Sequence, residues 1–238
     1  MTNLLELRGI TSGYDKMQIL WEPDIHVADG ECVLILGSNG AGKTTLLKSL
    51  VGLLPAWTGT IVLDGQAIHT HSVDQRIRAG ISYVSELGII PTLSIEDNLK
   101  LGAFYVPAQE RAQRLREMYD QFPILAEKRR GLGSSLSGGH RKVLSTAKAL
   151  MSRPRLLVMD EPSAGLSPLL VAEIISILQE LHTEGLSMII AEQNVKFLDI
   201  ADRVYVLDSG RIGFSGTVQE LKDDDAIQRA YFGVTRHG

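Results

Sequence analysis

Residues 37–44 read GSNGAGKT, and they lie between the apolar run CVLIL at 32–36 and the helical pattern KTTLLKSLV at 43–51. The octet fits the pattern G-x-x-x-x-G-K-[ST], in which glycines let the backbone wrap closely around phosphate oxygens. A strand that enters such a loop and a helix that leaves it aim backbone N–H groups and the positive end of the helix at negative charge. The context therefore predicts a phosphate loop (residues 37–44) rather than a glycine-rich turn that only joins two elements.

Each residue of the phosphate loop, with the threonine that follows it, is a candidate contact to a nucleoside triphosphate: Gly37, Ser38, Asn39, Gly40, Ala41, Gly42, Lys43, Thr44 and Thr45. The Lys43 ammonium would reach the β- and γ-phosphates and is also a candidate catalytic group. The Thr44 hydroxyl would bind Mg²⁺. The loop alone predicts a bound nucleoside triphosphate and does not say what is done with it.

A second stretch, RLLVMDEP at 155–162, places Asp160 and Glu161 at the carboxyl end of an apolar strand. Ligands of open α/β sheets bind at that edge. Asp160 would hold Mg²⁺ through water, and Glu161 would polarise the water that attacks the γ-phosphate. Neighbouring strand residues face opposite sides, but Pro162 ends the strand, so Glu161 can turn into the site. The alternative, two solvated acids in a turn, is disfavoured by the phosphate loop.

Composition narrows the class of protein. The chain has 238 residues, 44% of them hydrophobic, with 24 basic and 28 acidic side chains and a formal charge of −4. That balance does not favour a nucleic-acid partner. The single Cys32 lies in an apolar run, which predicts a buried free thiol and fits a reducing compartment. No apolar run approaches the roughly 18 residues of a membrane helix, so we expect a soluble chain that reaches a membrane only through a partner.

The order of strand-like and helix-like patterns along the chain predicts an α/β fold. The first sixty residues read as short strands, including ILWEPDIHVA at 19–28, which Asp29-Gly30 would close as a hairpin turn. Strands alternating with helices after residue 145 predict a mostly parallel sheet with helices on both faces. Charged helical patterns fill 87–145. We therefore predict one domain, with a core of 1–86 and 146–238 and a helical insertion of about 87–145.

A third stretch, LSGGHRK at 136–142, places small residues at a helix start suited to an anion, yet no catalytic group stands beside it. In order and separation, GSNGAGKT, LSGGH and LLVMDEPSAGLS resemble the ATPase subunit of ABC transporters over essentially the whole chain. The resemblance implies a P-loop NTPase fold with a mostly parallel core sheet, an N-terminal antiparallel β-subdomain and an inserted helical subdomain. It also implies ATP and Mg²⁺ as ligands.

The resemblance implies roles for further residues. In this family two ATPase chains meet head to tail, with ATP between the phosphate loop of one and the LSGG segment (residues 136–139) of the other. Ser137, Gly138 and Gly139 would then contact the γ-phosphate of ATP held by the partner. The remaining implied contacts are Tyr14 stacked on adenine (otherwise an ordinary surface or core tyrosine), Glu86 as a nucleotide and Mg²⁺ contact that couples the site to the helical insertion, and Gln193 as a catalytic sensor of the γ-phosphate.

Partners follow from the same resemblance: a second ATPase subunit (a copy or a related chain), two membrane-spanning permease subunits reached through the helical insertion, and an extracytoplasmic substrate-binding protein. The chain would lie at the cytoplasmic face of the inner membrane. Glu86 in place of the usual Gln, Gln193 in place of the usual His, EQN at 192–194 and RAYFG at 229–233 resemble the second ATPase subunit of branched-chain amino-acid importers. The stretch ELGIIP at 86–91 lacks the Gly-Arg-Arg of that branch.

Several alternatives stay open at this point. They are the ATPase of a lipid or lipopolysaccharide exporter, an ATP-gated half with little hydrolysis of its own, and an ABC ATPase of DNA repair or translation. The residue after LSGG is commonly Gln or Glu in this family, and here it is His140, followed by Arg141 and Lys142. Their charge would either attract the partner's ATP or belong to a solvated first turn, and we expect the solvated turn.

Overall fold

The strands form two sheets, one antiparallel and one mostly parallel. The computed structural model describes residues 3–85 and 88–224. One sheet is antiparallel and contains β1 (Asn3–Tyr14), β2 (Met17–Trp21), β3 (Ile25–Ala28), β5 (Thr58–Leu63) and β6 (Gln66–Ala67). The other has the order β11-β10-β4-β9-β8-β7 and contains β4 (Cys32–Leu36), β7 (Ile81–Val84), β8 (Leu156–Asp160), β9 (Ser187–Glu192), β10 (Arg203–Asp208) and β11 (Arg211–Thr217). Its neighbours are parallel except for β10 and β11, which confirms the predicted fold class.

Helices connect and cover the strands: α1 (Lys43–Val51), α2 (Val73–Arg78), α3 (Ile95–Gly102), α4 (Ala108–Gln121), α5 (Pro123–Glu127), α6 (Gly138–Leu150), α7 (Pro168–Thr183) and α8 (Val218–Asp223). Two short 3₁₀ helices span Gly133–Ser135 and Val195–Asp199. Within the described part of the predicted insertion, 88–145, the only strand-like pairing is an isolated bridge between Ser94 and Leu132. Since α6 runs through residue 145 without a break, the predicted boundary lies inside a helix, and the division of the domain stays a prediction.

The parallel sheet separates two apolar clusters. Along β4, Cys32, Leu34 and Leu36 pack on the side of the insertion and α7. Val33 and Ile35 pack on the opposite side, with α1 and the antiparallel sheet. Because both faces of β4 are covered, its sequence is a continuous apolar run rather than an alternating one. Cys32 is fully buried, as predicted, and burial raises the pKa of its thiol.

Strand register brings the predicted site residues to one edge of the parallel sheet. Leu36, the last residue of β4, pairs with Glu192 of β9, and Asp160 of β8 pairs with Ala191. The three strands point the same way, so the loops that follow them leave from the same edge. The phosphate loop, Glu161 and Gln193 each belong to one of these loops.

Some local expectations were wrong. The run 19–28 is two strands rather than one, because Glu22 has a φ of +56° and Pro23 has no N–H to donate to a ladder. The Asp29-Gly30 turn is not a hairpin, since β3 and β4 lie in different sheets. Strand β11 and helix α2 were not predicted. The predicted helix after β9 is a 3₁₀ helix at Val195–Asp199. Of the two helices expected in the tail, α8 is present, and the second, with RAYFG, lies outside the described residues.

Helix α1, which begins at the phosphate loop, is held at its other end by one buried arginine. The Arg76 guanidinium donates to the carbonyl oxygens of Ser49 at 2.8 Å and Leu50 at 2.5 Å. It also donates to the carbonyls of His71 at 3.1 Å and His69 at 2.9 Å. A cation at the carboxyl end of a helix satisfies carbonyls that have no partner inside the helix and complements the helix dipole.

Replacing this arginine tests its part in the fold. We expect Arg76→Met to lower the free energy of unfolding by about 2–4 kcal/mol, because two buried and two partly buried carbonyls lose a cationic donor. Equilibrium urea denaturation followed by circular dichroism measures the loss. The matched control is Arg78→Met on the same helix, where the exposed guanidinium only stacks 4.4 Å from the Tyr105 ring centroid. A cost for Arg76→Met no larger than that of the control would contradict the capping role.

Candidate nucleotide-binding site

The phosphate loop leaves β4 and turns directly into α1. Gly40 and Gly42 have φ of +84° and +104°, in the left-handed region that favours glycine. A Cβ on Gly37 would lie 2.6 Å from the carbonyl oxygen of Leu207, so this position also requires glycine. Among the described residues no side chain caps the first turn of α1. The N–H groups of that turn are therefore available to an anion.

The Lys43 side chain folds back over the loop. It is only 3% exposed, and its Nζ donates to the carbonyl oxygens of Gly37 at 2.9 Å and Ser38 at 3.0 Å. The same Nζ lies 3.1 Å from Oε1 of Glu161. A buried ammonium needs such partners to offset its lost hydration. The geometry thus places one positive charge where phosphates would enter, and pairs it with the predicted catalytic carboxylate.

Thr44 and Asp160 meet at the predicted magnesium position. The Thr44 hydroxyl donates to Oδ1 of Asp160 at 3.0 Å, and the Tyr83 hydroxyl donates to Oδ2 at 3.1 Å. Burial raises the pKa of Asp160 above its ordinary value of 3.8, against the opposing effect of these two bonds. Burial likewise raises the pKa of Tyr83. The Tyr83 contact was not predicted, because nothing local in ISYVS indicates which face of the strand meets Asp160.

The oxygen atoms at this position fit Mg²⁺, which prefers hydroxyl, carboxylate and phosphate oxygens and retains several waters. Within residues 3–85 and 88–224 no cluster of three His, Cys, Asp or Glu side chains could hold a metal. One carboxylate and one hydroxyl are enough when phosphate oxygens complete the shell. The third predicted ligand, Glu86, lies outside the described residues.

Glu161 directly follows β8 and turns away from the direction of the strand, as predicted. Its φ is +47°, a left-handed conformation that is uncommon for a residue with a side chain. Its N–H donates to the carbonyl of Ala191 at 2.9 Å, and its carbonyl accepts from the N–H of Ala164 at 3.1 Å. Because the backbone reverses here, the carboxylate lies on the same side as Lys43 and Asp160.

A buried carboxylate that was not predicted ties two loops of the site together. Glu192 is 2% exposed, and its Oε1 accepts from the N–H of Ser163 at 2.7 Å. Its Oε2 accepts from the N–H groups of Gln193 at 3.0 Å and Asn194 at 3.2 Å. Gln193 itself is exposed and lines an open cleft with Glu161 and Ser163. The only sequence signal for Glu192 is an acid directly after the apolar run SMIIA.

Tyr14 ends β1, at the turn that joins it to β2. Its ring is 43% exposed, and Nζ of Lys48, on α1, lies 6.0 Å from the ring centroid. The partly exposed ring therefore stands beside the helix that begins at the phosphate loop. An aromatic face in that position can stack on a nucleotide base.

The LSGG segment forms the start of α6. Ser137 caps α6 by accepting the N–H of His140 at 3.3 Å, and Gly139 packs against Leu170 so closely that a Cβ would lie 2.5 Å from it. Ser137 and Gly138 are exposed. Among the described residues no hydrogen bond or ion pair joins Ser137, Gly138 or Gly139 to the phosphate loop.

The basic residues after this segment do not share one environment. Arg141 is exposed but donates to the carbonyls of Leu136 and Ser134, each at 3.0 Å. Lys142 is buried, and its Nζ lies 3.3 Å from the carbonyl oxygen of Glu161. The expectation of a solvated first turn is therefore wrong for Lys142, because this face of α6 packs against the loop after β8.

Comparisons with known proteins bear on the family of the chain. Residues 21–164 match the protein-family model described as ABC transporter. The chain is 34% identical over 232 residues to BraG of Pseudomonas aeruginosa, a high-affinity branched-chain amino acid transport ATP-binding protein, covering 97% of this chain and all of the relative. It is 33% identical over 235 residues to LptB of Escherichia coli, a lipopolysaccharide export system ATP-binding protein, covering 96% of this chain and 97% of that one.

A solved structure supports the same assignment. The ADP conformation of an ATP-binding cassette from an ABC transporter superposes with a TM-score of 0.83 at 25% identity, covering 98% of this chain and all of that one. No helix in the described ranges is long and apolar enough to cross a membrane. The family match, the relatives and the fold converge on one conclusion: the chain belongs to the ABC transporter family and is an ATP-hydrolysing subunit.

Proposed function

We propose that this chain energises the import of branched-chain or related amino acids through membrane-spanning partner subunits. The observation that carries the proposal is the near full-length likeness to a branched-chain amino acid transport ATP-binding protein. The sequence EQN at 192–194 supports it. The buried Glu192 carboxylate fixes the backbone of Gln193 and Asn194 through two N–H bonds, so Gln193, rather than the more usual histidine, projects into the cleft.

Hydrolysis would be divided among side chains that meet at the edge of the parallel sheet. The Lys43 ammonium and the N–H groups of the phosphate loop bind the β- and γ-phosphates, while Thr44 and Asp160 hold the metal. When bound, Mg²⁺ neutralises charge on those phosphates. Glu161 accepts a proton from the attacking water. Tyr14 supplies a face for the adenine ring, and Gln193 donates a hydrogen bond to the γ-phosphate.

The ion pair between Lys43 and Glu161 joins the proposed phosphate-binding cation to the proposed base. Their 3.1 Å contact occupies the catalytic carboxylate and neutralises the cation. Phosphate oxygens compete for the same ammonium, so nucleotide binding weakens the pair and releases Glu161 toward the γ-phosphate. The base therefore becomes available when a substrate is present.

A second ATPase chain is needed to complete the site. Ser137 and Gly138 are exposed at the start of α6, and they make no hydrogen bond to the phosphate loop of their own chain within the described residues. A helix start of this kind binds phosphate but offers no acid or base. We place Ser137, Gly138 and Gly139 against the γ-phosphate of ATP held by the partner chain.

A groove beside the helical insertion is the proposed docking surface for the two permease subunits. It lies between α2 and the end of α3, and encloses about 260 Å³. Phe104 and Leu53, which both line it, are 66% and 54% exposed, and exposed apolar side chains that lie together mark interaction sites. The proposed location is thus the cytoplasmic face of the inner membrane. Glu86 would couple the groove to the site, since it lies in sequence between β7 and α3.

The first experiment identifies the partner subunits of the chain. Tagged protein is recovered from gently solubilised native membranes, its partners are identified, and the complex is reconstituted in vesicles. We expect two permease chains, a second ATPase and an external binding protein, and ATP-dependent accumulation of labelled leucine that is lost in Lys43→Ala. A complex without a binding protein, in which leucine has no effect on hydrolysis, would contradict amino-acid import.

Lipopolysaccharide export is the second candidate, because LptB of Escherichia coli is 33% identical over nearly the same length. It would be favoured by a pair of identical ATPase chains bound to membrane subunits with no external binding protein. Recovery only from the soluble fraction, with no membrane chain, would exclude both candidates.

The catalytic carboxylate is tested by Glu161→Gln. We expect steady-state hydrolysis to fall at least about 100-fold, because the amide cannot accept a proton from water. Equilibrium binding of ATP should be retained or tightened, since Lys43 loses its competing anion. Glu173→Gln, on the exposed face of α7, is the matched control. Unchanged hydrolysis in Glu161→Gln would rule out this role.

The raised pKa of Asp160 predicts a pH dependence of stability without nucleotide or metal. Because the folded protein binds this proton more tightly than the unfolded chain, Asp160 contributes stability that is present below about pH 3.8 and is lost as pH rises through the folded pKa. Asp160→Asn does not titrate, so its melting temperature should rise relative to wild type as the pH increases above about 3.8.

Differential scanning calorimetry with a chelator measures this difference, with Asp120→Asn as the exposed control. Adding Mg²⁺ with ATP should reverse it, since the metal favours the ionised carboxylate of the wild type. A difference that stays constant over the pH range would show that the buried carboxyl is not the cause.

A further inference from the structure

Helix α6 contacts the hydrolytic site of its own chain through a residue that the catalytic roles above do not use. Lys142 lies four residues after Gly138, on a face of the helix that is buried, and its side chain is not in the solvent that surrounds Arg141. Its Nζ lies 3.3 Å from the backbone carbonyl oxygen of Glu161. A lysine in this position is a donor only, and carries a positive charge into the protein.

The peptide that Lys142 contacts is one whose conformation must be held by its surroundings. Glu161 has a φ of +47°, which costs a residue with a Cβ about 1–2 kcal/mol. The Ala191 carbonyl accepts its N–H, and its own carbonyl accepts from Ala164 as well as from Lys142. The bond from Lys142, at 3.3 Å, brings a positively charged donor to that oxygen. Lys142 therefore helps to fix the backbone that aims the catalytic carboxylate.

The same helix begins with the residues that we place against the partner's ATP. Gly138 and Lys142 are separated by one turn, about 6 Å along the axis. A helix is stiff over that length, so a displacement of its first turn moves Lys142, and with it the carbonyl of Glu161. Gly138 and Lys142 are too close along the helix for the turn between them to absorb this displacement.

We propose that Lys142 is a positioning residue, which sets the orientation of Glu161 and links the ATP bound between the chains at one site to hydrolysis at the other. The inference rests on the proposed pairing of two ATPase chains. It assigns Lys142 no contact with ATP: the residue acts on the general base of its own chain, while Ser137 to Gly139 of the same helix act on the nucleotide of the other chain.

The test replaces Lys142 by methionine, which keeps the length and the apolar stem and removes the donor. In the purified complex, we expect kcat for ATP hydrolysis to fall about tenfold or more, with the half-saturating ATP concentration unchanged within about twofold. The Hill coefficient for ATP should fall to about 1, because the two sites no longer communicate. Lys142→Arg keeps a cationic donor, and should retain kcat within about threefold.

Two controls separate positioning from general support of the fold. Lys222→Met makes the same change on the exposed face of α8 and should leave all parameters as in wild type. Thermal denaturation of each variant, with and without ATP, reports folding directly. A structural role alone would lower the melting temperature and would not separate kcat from the half-saturating ATP concentration.

Each other outcome overturns the proposal. An unchanged kcat in Lys142→Met removes the positioning role. A raised half-saturating ATP concentration at constant kcat would show that the charge attracts nucleotide instead. A lowered kcat with an unchanged Hill coefficient would show that the two sites are not linked through this residue. The wild-type complex is measured first: if it hydrolyses no ATP, the proposed function has failed before any variant is compared.

Discussion

The site depends on the contacts of one ammonium group, that of Lys43. It is buried beneath the loop it belongs to. It donates hydrogen bonds to two loop carbonyls and forms an ion pair with the carboxylate of Glu161. A buried amine must be paired, because its lost hydration is costly. Glu161, the proposed catalytic base, is thus also the counter-ion of Lys43. We propose that the same requirement links hydrolysis to substrate, since a phosphate oxygen that pairs with Lys43 would free Glu161, and the loop is shaped to admit phosphate.

The parallel sheet turns this local contact into a complete site. Register pairs Leu36 with Glu192 and Asp160 with Ala191, so three loops leave from one edge. A buried carboxylate then joins two of them: Glu192 accepts one N–H from the loop after β8 and two from the loop after β9. Movement of either loop would break a bond to a buried charge, which is expensive. The loops that carry Glu161 and Gln193 are therefore expected to move together.

The sequence predicts the parts of this arrangement that are local and leaves out those that depend on packing. The phosphate loop and the apolar strand before Asp160 carry their own signals, and both occur where expected. The contacts of Tyr83, Lys142 and Glu192 bring together segments far apart in the chain, so no spacing reveals them. Lys142 shows the difficulty, because a lysine in the first turns of a helix is usually solvated. Likewise Asp29-Gly30 forms a turn as predicted, but the dipeptide does not indicate whether the next strand joins the same sheet.

Helix α6 connects three surfaces of the protein, and this explains why its basic residues are not interchangeable. Its first turn leaves Ser137 and Gly138 exposed, while Lys142 contacts the carbonyl of Glu161. Nearer its end, Lys148 donates to the carbonyl of Gly88 at 2.5 Å and lines the groove proposed for the permease subunits. Burial lowers the pKa of Lys148, so the charged form of this side chain depends on its hydrogen bond to the Gly88 carbonyl. A permease subunit that moves Gly88 would act on the helix that we propose faces the second ATP and positions Glu161, so no separate route from membrane to nucleotide is needed.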